Sequence, residues 1–188
     1  MAFFDVKSKK KNNSHPVIKV ALRKWIITKF TSDAFVLDVY GAKGMMYKKI
    51  WNHFDYTPSE GDAIKFLNNC DCFNQDIFDV DPYGSPYEAL KIITSKSKKD
   101  RIGIVCTDGT LRRAGMMRSK IPKFLQAECG WPERDLTLLA GIYNQYPSFL
   151  RHALNCVCNG YSIEKLAVKY GIGTWKQATC YYAAVLVR

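Results

Sequence analysis

The sequence lacks any apolar run of the length that a membrane-spanning helix requires, which is about 20 residues. It also lacks a secretory signal, because the N-terminal stretch MAFFDVKSKKKNNSHP carries its positive charges after a very short apolar patch, the reverse of the usual order. Together these absences exclude membrane-embedded and secreted classes. They predict a soluble, cytoplasmic protein.

The chain is too short for two full-sized hydrophobic cores. Its 188 residues, 47% of them hydrophobic, can build one core, whereas a division into two domains would leave both halves thin. We therefore expect a basic, flexible tail over residues 1–14 and a single domain over residues 15–188.

Cysteine pairs with the two-residue spacer of structural zinc sites are also missing. The seven cysteines are an odd number, and their close pairs, CDC and CVC, have only one residue between them. Several lie in apolar segments, as reduced cytosolic thiols do. We therefore expect the cysteines to be small buried side chains, and we expect no metal site.

Acidic residues are scarce, since 17 Asp and Glu stand against 28 Lys and Arg, giving a formal net charge of +11. A surface with this excess attracts polyanions. One cluster, LRRAGMMRSKIPK, interleaves its cations with apolar residues, which solubility alone explains poorly. We therefore expect a nucleic-acid partner. The candidate contacts in this cluster are Arg112, Arg113, Arg118 and Lys120.

Apolar segments with strand character alternate with helical ones along most of the chain. The segments FVLDV, IFDVD, RIGIVCT and ATCYYAAVLVR predict strands. Helices are predicted at HPVIKVALRKWIITKF, at residues 45–51, at GDAIKFLNN, at PYEALKIIT, in the stretch up to Leu125 and around PSFLRHALNCVC. This alternation predicts an α/β fold with a mostly parallel sheet and helices on both faces. Ligands bind such sheets at the carboxyl ends of the strands, where Asp38, Glu60 and Asp81 should converge.

The segment LDVYGAKG ends the first predicted strand with an acid and turns through two glycines into a helix. The G-x-G-x-x-G spacing of dinucleotide sites is absent. An acid before a glycine turn suits a ligand with a cationic amino group and a carboxylate, such as the methionine part of S-adenosylmethionine. The candidate cofactor contacts are Asp38, Tyr40, Gly41 and Gly44, although a structural turn would look much the same.

Glu60 follows about twenty residues after that turn, where nucleotide-binding sheets place an acid on the ribose hydroxyls. The alternative is an exposed glutamate at the start of a helix, where acids are favoured in any case.

The stretch FDVDPYGSP, residues 78–86, is followed by IGIVCTDGTLRRAG. Together they resemble the tRNA guanine-N2 dimethyltransferase family, in which an Asp-Pro-aromatic-Gly-Ser-Pro strand end precedes a strand ending in Thr-Asp. The later SFLRHALNCVCNGYSIEKLAVKYG also looks like a helix and turn of that family, and the resemblance covers roughly residues 35–188. It implies a Rossmann-like class I methyltransferase fold, S-adenosylmethionine as cofactor and tRNA as substrate.

The resemblance also implies roles for single residues. Asp81 and the Pro82 carbonyl would accept the two hydrogens of an exocyclic amine and turn its lone pair towards the methyl group. Tyr83 would stack on a flipped-out base. Thr107 and Asp108, at the next strand end, would border the target base, or would simply cap the following loop.

The chain departs from the family in three places. After the acid of the first turn the family usually has a small residue and then glycine, whereas here Gly41 comes first and is followed by Ala42 and Lys43. The region between Glu60 and Asp81 is compressed, so the acid on the adenine amine would be either Asp71 or Asp76. We also expect no counterpart of the family's additional C-terminal domain, which helps to grip tRNA. The substrate is then expected to be tRNA, another RNA or DNA, with a partner protein as a possible replacement for that domain.

Three other hypotheses stay open. Asp81-Pro82-Tyr83 also looks like the Asp-Pro-Pro-Tyr signature of enzymes that methylate adenine or cytosine amines in DNA. YSIEKLAVKYGIGTW has the pattern of a helix-turn-helix, whose second helix would enter a DNA groove. A catalytically degenerate methyltransferase fold could bind nucleic acid without methylating it.

Overall fold

The computed structural model describes residues 15–40, 62–82, 84–110, 121–131, 142–172 and 178–188. The described strands are β1 (Val36–Asp38), β2 (Ile77–Val80), β3 (Arg101–Asp108), β4 (Ser162–Ile172) and β5 (Ala178–Val187). The described helices are α1 (Pro16–Ile27), α2 (Ala63–Asn69), α3 (Tyr87–Lys96), α4 (Lys123–Cys129) and α5 (Ile142–Val157). The predicted helix at 45–51 and the predicted tail at 1–14 lie outside the described residues.

The five described strands form one sheet in the order β1-β2-β3-β5-β4. β1 pairs with β2, and β2 with β3, in parallel. β5 is antiparallel to both of its neighbours, β3 and β4, so β4 runs in the same direction as β1 to β3. The carboxyl ends of β1, β2 and β3 therefore meet at one edge, as the sequence predicted.

The apolar residues of the strands face two separate cores. Leu37, Phe78 and Ile104 point into the larger core, which the four helices α2 to α5 cover. Val36 and Ile77 point the other way, into a smaller core. Side chains alternate along a strand, and this alternation puts residues two apart on the same face. The prediction of helices on both faces is confirmed in the described part of the chain.

Helix α1 covers the smaller core. Pro16 stands at its first turn, where a missing N–H costs nothing. Leu22 and Ile26, one turn apart, are buried against the sheet and pack with Val105 and Val185. The helix is thus fixed on the face of the sheet to which Val36 and Ile77 belong, and its other buried residue, Arg23, is brought close to the strand ends.

The helix-turn-helix hypothesis is wrong for residues 162–172, because they form strand β4 and pair with β5 along its length. The register shifts between Ile163 and Lys165, which marks a β-bulge. A bulge interrupts the alternation of inward and outward residues, so the segment does not have the period of two that identifies strands in a sequence.

No helix within the described ranges combines the length and the apolar character that crossing a bilayer would require.

Candidate functional site

Two carboxylates lie side by side where β1 and β2 end. Asp38 and Asp79 are partners in the parallel register, and each is two residues beyond a side chain of the smaller core, Val36 or Ile77. Both therefore lie on the face that α1 covers. Asp81 follows directly after β2, with its side chain half-buried. Asp38 and Asp81 thus come together at this edge, as the sequence predicted.

Helix α1 provides the cations that this acidic edge requires. The Arg23 Nε lies 2.6 Å from the Asp79 Oδ2, and the two side chains are only 4% and 1% exposed. One turn earlier, the Lys19 ammonium donates a hydrogen bond to the Asp81 carboxylate. The Arg23 guanidinium also comes within 3.9 Å of Asp81. Burying carboxylates is costly unless they are paired, and these pairs offset that cost.

The pKa of Asp38 is raised to about 8, chiefly by burial, then by the neighbouring Asp79, and to a smaller extent by Asp81. The Arg23 guanidinium and a hydrogen bond from the Tyr40 backbone oppose this shift without cancelling it. Asp38 consequently holds a proton over much of the neutral range. A cationic ligand placed beside it would favour loss of that proton.

Tyr40 follows the end of β1 by two residues and is half-buried against the larger core. Burial raises the pKa of its hydroxyl, and the nearby carboxylates of Asp62 and Glu88 add to the effect. Asp62 caps α2, since its side chain accepts hydrogen bonds from the Ile64 and Lys65 backbone N–H groups. Asp62 lies two residues beyond the predicted ribose contact Glu60, and the sequence analysis did not select it.

The loop after β2 is tied to the loop after β3. The Gly109 N–H donates to the Gly84 carbonyl at 2.9 Å. A methyl group at Gly109 would stand only 3.1 Å from that carbonyl oxygen, so a glycine permits this close approach. Pro82 is half-buried beside Asp81 in the first of these loops. The hydrogen bond joins the DPYGSP segment to the end of β3.

The surroundings of Asp108 are those of a buried residue with a structural role. Its carboxylate is fully buried and accepts hydrogen bonds from the Tyr87 hydroxyl at 2.6 Å, the Tyr146 hydroxyl at 2.8 Å and the Thr110 backbone N–H at 2.8 Å. This position does not fit the expected nucleic-acid contact, because all of these partners lie inside the protein. It fits the alternative role, the capping of the loop. Thr107 is half-buried and pairs in register with Tyr181.

Asp76 requires a correction. It precedes β2 and so lies at the amino ends of the strands, the edge opposite Asp38 and Asp81. Its carboxylate accepts a hydrogen bond from the Phe35 backbone N–H at 2.9 Å and pairs with Lys99 at 3.0 Å. This location does not fit a cofactor contact. The alternative acid, Asp71, is exposed in the connection from α2 to the same start of β2.

The remaining candidates lie outside the residues that the structure describes. They are Gly41, Gly44, Glu60, Tyr83, Arg112, Arg113, Arg118 and Lys120.

Sequence reasoning missed Lys19, Arg23 and Asp79. A signal for them exists, since Asp79 and Asp81 are two residues apart at a strand end and Lys19 and Arg23 are four apart on an amphipathic helix. The two side chains of each pair therefore point to the same side of their strand or helix. The chain gives no local indication that the two pairs meet, because 56 residues separate Arg23 from Asp79.

No model of a known protein family matches the sequence, and no curated protein matches it. Solved structures do resemble the fold. The TYW2 protein of M. jannaschii, solved in complex with AdoMet, superposes with a TM-score of 0.54 at 10% identity, over 97% of this chain and 79% of that one. The chain has the Rossmann-like class I methyltransferase fold.

A second solved structure is the O-methyltransferase from Bacillus cereus in complex with SAH. The alignment covers 93% of this chain and 82% of that one, at 8% identity and with a TM-score of 0.49. A likeness of that degree adds no support to the assignment of the fold.

In a class I methyltransferase fold, the acidic edge formed by Asp38, Asp79 and Asp81 lies where Rossmann-like sheets bind their ligands.

Proposed function

We propose that this protein is an S-adenosylmethionine-dependent methyltransferase acting on an exocyclic amine of RNA, with guanine N2 of tRNA as its target. The observation that carries the proposal is the position of Asp81. Its carboxylate follows β2 at the ligand-binding edge, next to Asp38, and it already accepts a hydrogen bond from a nitrogen, the Lys19 ammonium. The fold supports it too, since the similar TYW2 of M. jannaschii was solved with AdoMet.

The residues present fit a cationic cofactor. Asp38 is buried beside Asp79, and the cationic amino group of the methionine part would favour the ionised form of Asp38 and pair with it. Tyr40 and Asp62 lie next along the same edge and are candidates to border the nucleoside part. S-adenosylmethionine supplies an electrophilic methyl group on a sulfonium centre.

The chemistry of the acceptor falls to the chain's own residues. An exocyclic amine conjugated to its ring is a poor nucleophile. The Asp81 carboxylate and the Pro82 carbonyl would accept its two N–H hydrogens and turn the nitrogen lone pair out of the ring plane. After the nitrogen has gained the methyl group, it loses a proton, which Asp81 is placed to accept. Tyr83 would stack on the base.

Lys19 is the group that the substrate amine would displace. Its ammonium and an incoming amine would donate to the same carboxylate, so the two compete for Asp81. The same contact also supports a second candidate function, the binding of nucleic acid without catalysis. In that alternative, Lys19 would hold Asp81 permanently and no methyl group would be transferred.

The first test is calorimetric titration of the purified protein with S-adenosylmethionine, followed by transfer of labelled methyl groups to tRNA. Wild-type protein is expected to bind the cofactor and to label tRNA. The Asp81→Asn variant should keep cofactor binding and lose at least about 100-fold in transfer rate, as expected when a positioned proton acceptor is removed. The matched control is Asp100→Asn, an exposed acid directly before β3 at the opposite edge of the sheet, which should remain active.

The outcomes separate the candidates. An active Asp81→Asn enzyme would contradict the assigned chemistry. Transfer to DNA in preference to RNA would favour the adenine or cytosine amino-methyltransferase alternative. Nucleic-acid binding with no cofactor binding at millimolar concentration would favour the non-catalytic one. Digestion of labelled tRNA to nucleosides identifies the methylated base and so tests guanine N2 directly.

A further inference from the structure

A group of soft metal ligands lies away from the acidic edge, where α4 meets α5. Cys129 is the last residue of α4, and His152 and Cys156 are one turn apart on α5. One sulfur from each cysteine and a ring nitrogen of the histidine all lie within 4.8 Å of one another. In the part of the chain that the structure describes, no other three metal-ligating side chains come this close.

The spacing agrees with that of zinc ligands. Zn–S bonds of about 2.3 Å and Zn–N bonds of about 2.0–2.1 Å, at a tetrahedral angle, put sulfur and nitrogen about 3.5 Å apart. The Cys156 Sγ and the His152 Nε2 are 3.7 Å apart. Because the two residues are four apart on one helix, their side chains point to the same side without any distortion of the helix.

Neighbouring residues hold the histidine ring in place. The Trp131 indole stacks on the His152 ring, with centroids 5.0 Å apart, and also on Phe149 at 5.1 Å. Gly130, with φ of 61°, adopts the left-handed conformation that ends α4 and turns the chain from Cys129 to Trp131. The Trp131 N–H then donates to the Gln126 carbonyl at 3.0 Å. In metal sites, neighbouring groups generally hold the ligating imidazole in a fixed orientation.

The cluster is also open to solvent. Cys129 and Cys156 are half-buried and His152 is exposed, so an ion can reach all three. The nearest acid in the sequence, Glu128, is paired with Lys91 at 2.6 Å, which links α4 to α3. The described ligands therefore number three, and a fourth coordination position faces water.

We propose that Cys129, His152 and Cys156 bind one Zn²⁺ ion, with water in the fourth position. Each thiol loses its proton when its sulfur bonds to the metal, so two protons leave for every ion bound, and two thiolates balance the charge of Zn²⁺. Thiolate and imidazole ligands select zinc over hard cations such as Mg²⁺. The ion would link α4 to α5. This proposal does not depend on the proposed methyltransferase function.

The CDC and CVC pairs did not indicate this site because it takes one cysteine from CVC and the other from a distant segment, where Cys129 lies. The local signal is His-x-x-x-Cys on a helix.

The test uses the full chain, stripped with a chelator under reducing conditions and titrated with ZnCl₂ against a chromophoric competitor. One Zn²⁺ per chain is expected. Cys129→Ser, His152→Ala and Cys156→Ser should each weaken binding at least tenfold, since loss of an outer partner alone costs about 10–100-fold. Cys72→Ser, a half-buried cysteine outside the cluster, is the matched control and should bind as the wild type does.

A second measurement uses the wild-type protein, so its result does not depend on whether a variant folds. Co²⁺ added to the stripped wild-type protein should give the absorption of a thiolate-to-metal charge transfer and of tetrahedral coordination. No such bands, or a Zn²⁺ affinity equal to that of Cys129→Ser, would overturn the proposal. It would also be overturned if peptide mapping found Cys129 and Cys156 joined in a disulfide and the reduced protein took up no Zn²⁺.

Discussion

Asp38 is the residue whose protonation should be visible in the stability of the whole protein. Burial and the neighbouring Asp79 raise its pKa to about 8, against about 3.9 for an aspartate in an unfolded chain. Between these values the folded state binds the extra proton, so the contribution of Asp38 to stability is complete below about pH 4 and is lost as the pH rises to about 8.

We therefore expect the free energy of unfolding of the wild type to fall, relative to that of Asp38→Asn, as the pH is raised from 5 to 8.5. Asparagine stays neutral and imitates the protonated acid in shape, so the difference between the two proteins isolates Asp38. Urea denaturation at a series of pH values measures it. A constant difference across this range would show that Asp38 is ionised throughout.

At the scale of the residue, the sequence predicted the position of an acidic residue in the sheet better than it predicted the groups that surround its side chain. Asp38 and Asp81 could be placed at one edge because parallel strands end together. The burial of Asp108 could not be foreseen, since it depends on Tyr87 and Tyr146, which come from two different helices. The location of Asp76 was predictable but was missed, because the strand predicted from IFDVD begins at Ile77 and the acid before it must lie at the amino end.

At the scale of the element, α1 belongs to the candidate site. The helix itself was predictable from its apolar stripe, although it ends at Ile27, three residues before the predicted segment does. Its function in the structure was not predictable, because the stripe says only which face is buried. Arg23 is buried together with that face, where it meets Asp79 at 2.6 Å.

Replacing Arg23 with Met should therefore destabilise the protein by about 3–5 kcal/mol, because Asp79 would remain buried without its charged partner. Thermal or urea denaturation measures the loss. The matched control is Lys24→Met, which removes the neighbouring exposed cation of the same helix and should change stability by less than about 0.5 kcal/mol.

The double variant Arg23→Met/Asp79→Asn provides the check on this cause. It should recover part of the missing stability, since no unpaired charge is then buried. If the double variant is as unstable as the sum of the two single ones, the loss comes from packing of the arginine stem and not from the ion pair.

Strand β4 is an element whose type of secondary structure was predicted wrongly from the sequence. Its residues read as a helical pattern, and tertiary pairing with β5 overrides that pattern. The bulge at Ile163 and Lys165 explains why, as it separates two stretches whose alternation is out of phase. β2 and β3 are buried on both faces, and their mainly apolar segments predicted strands without this ambiguity.

At the scale of the whole molecule, the net charge of +11 predicts binding to nucleic acid that weakens steeply with salt. The Arg112→Gln/Arg113→Gln double variant should weaken binding. It should also reduce the slope of log affinity against log salt concentration by about one for each phosphate that the protein no longer neutralises.

Fluorescence anisotropy with labelled tRNA at several salt concentrations measures this slope. Lys98→Gln is the control, because Lys98 is exposed just before β3, at the amino ends of the strands, and should leave the slope unchanged. An unaltered slope in the double variant would mean that the phosphate-binding face lies elsewhere on the molecule.

The place of β5 in the sheet has a consequence for how the protein is made. A ribosome delivers β1, β2, β3 and β4 before residues 178–187, yet β5 is the strand that joins β3 to β4. Until it emerges, the nascent chain holds the piece of sheet β1-β2-β3 and the unpaired strand β4, whose open backbone edges are templates for pairing with other chains. Shielding of these edges by chaperones therefore matters most in the interval before β5 emerges.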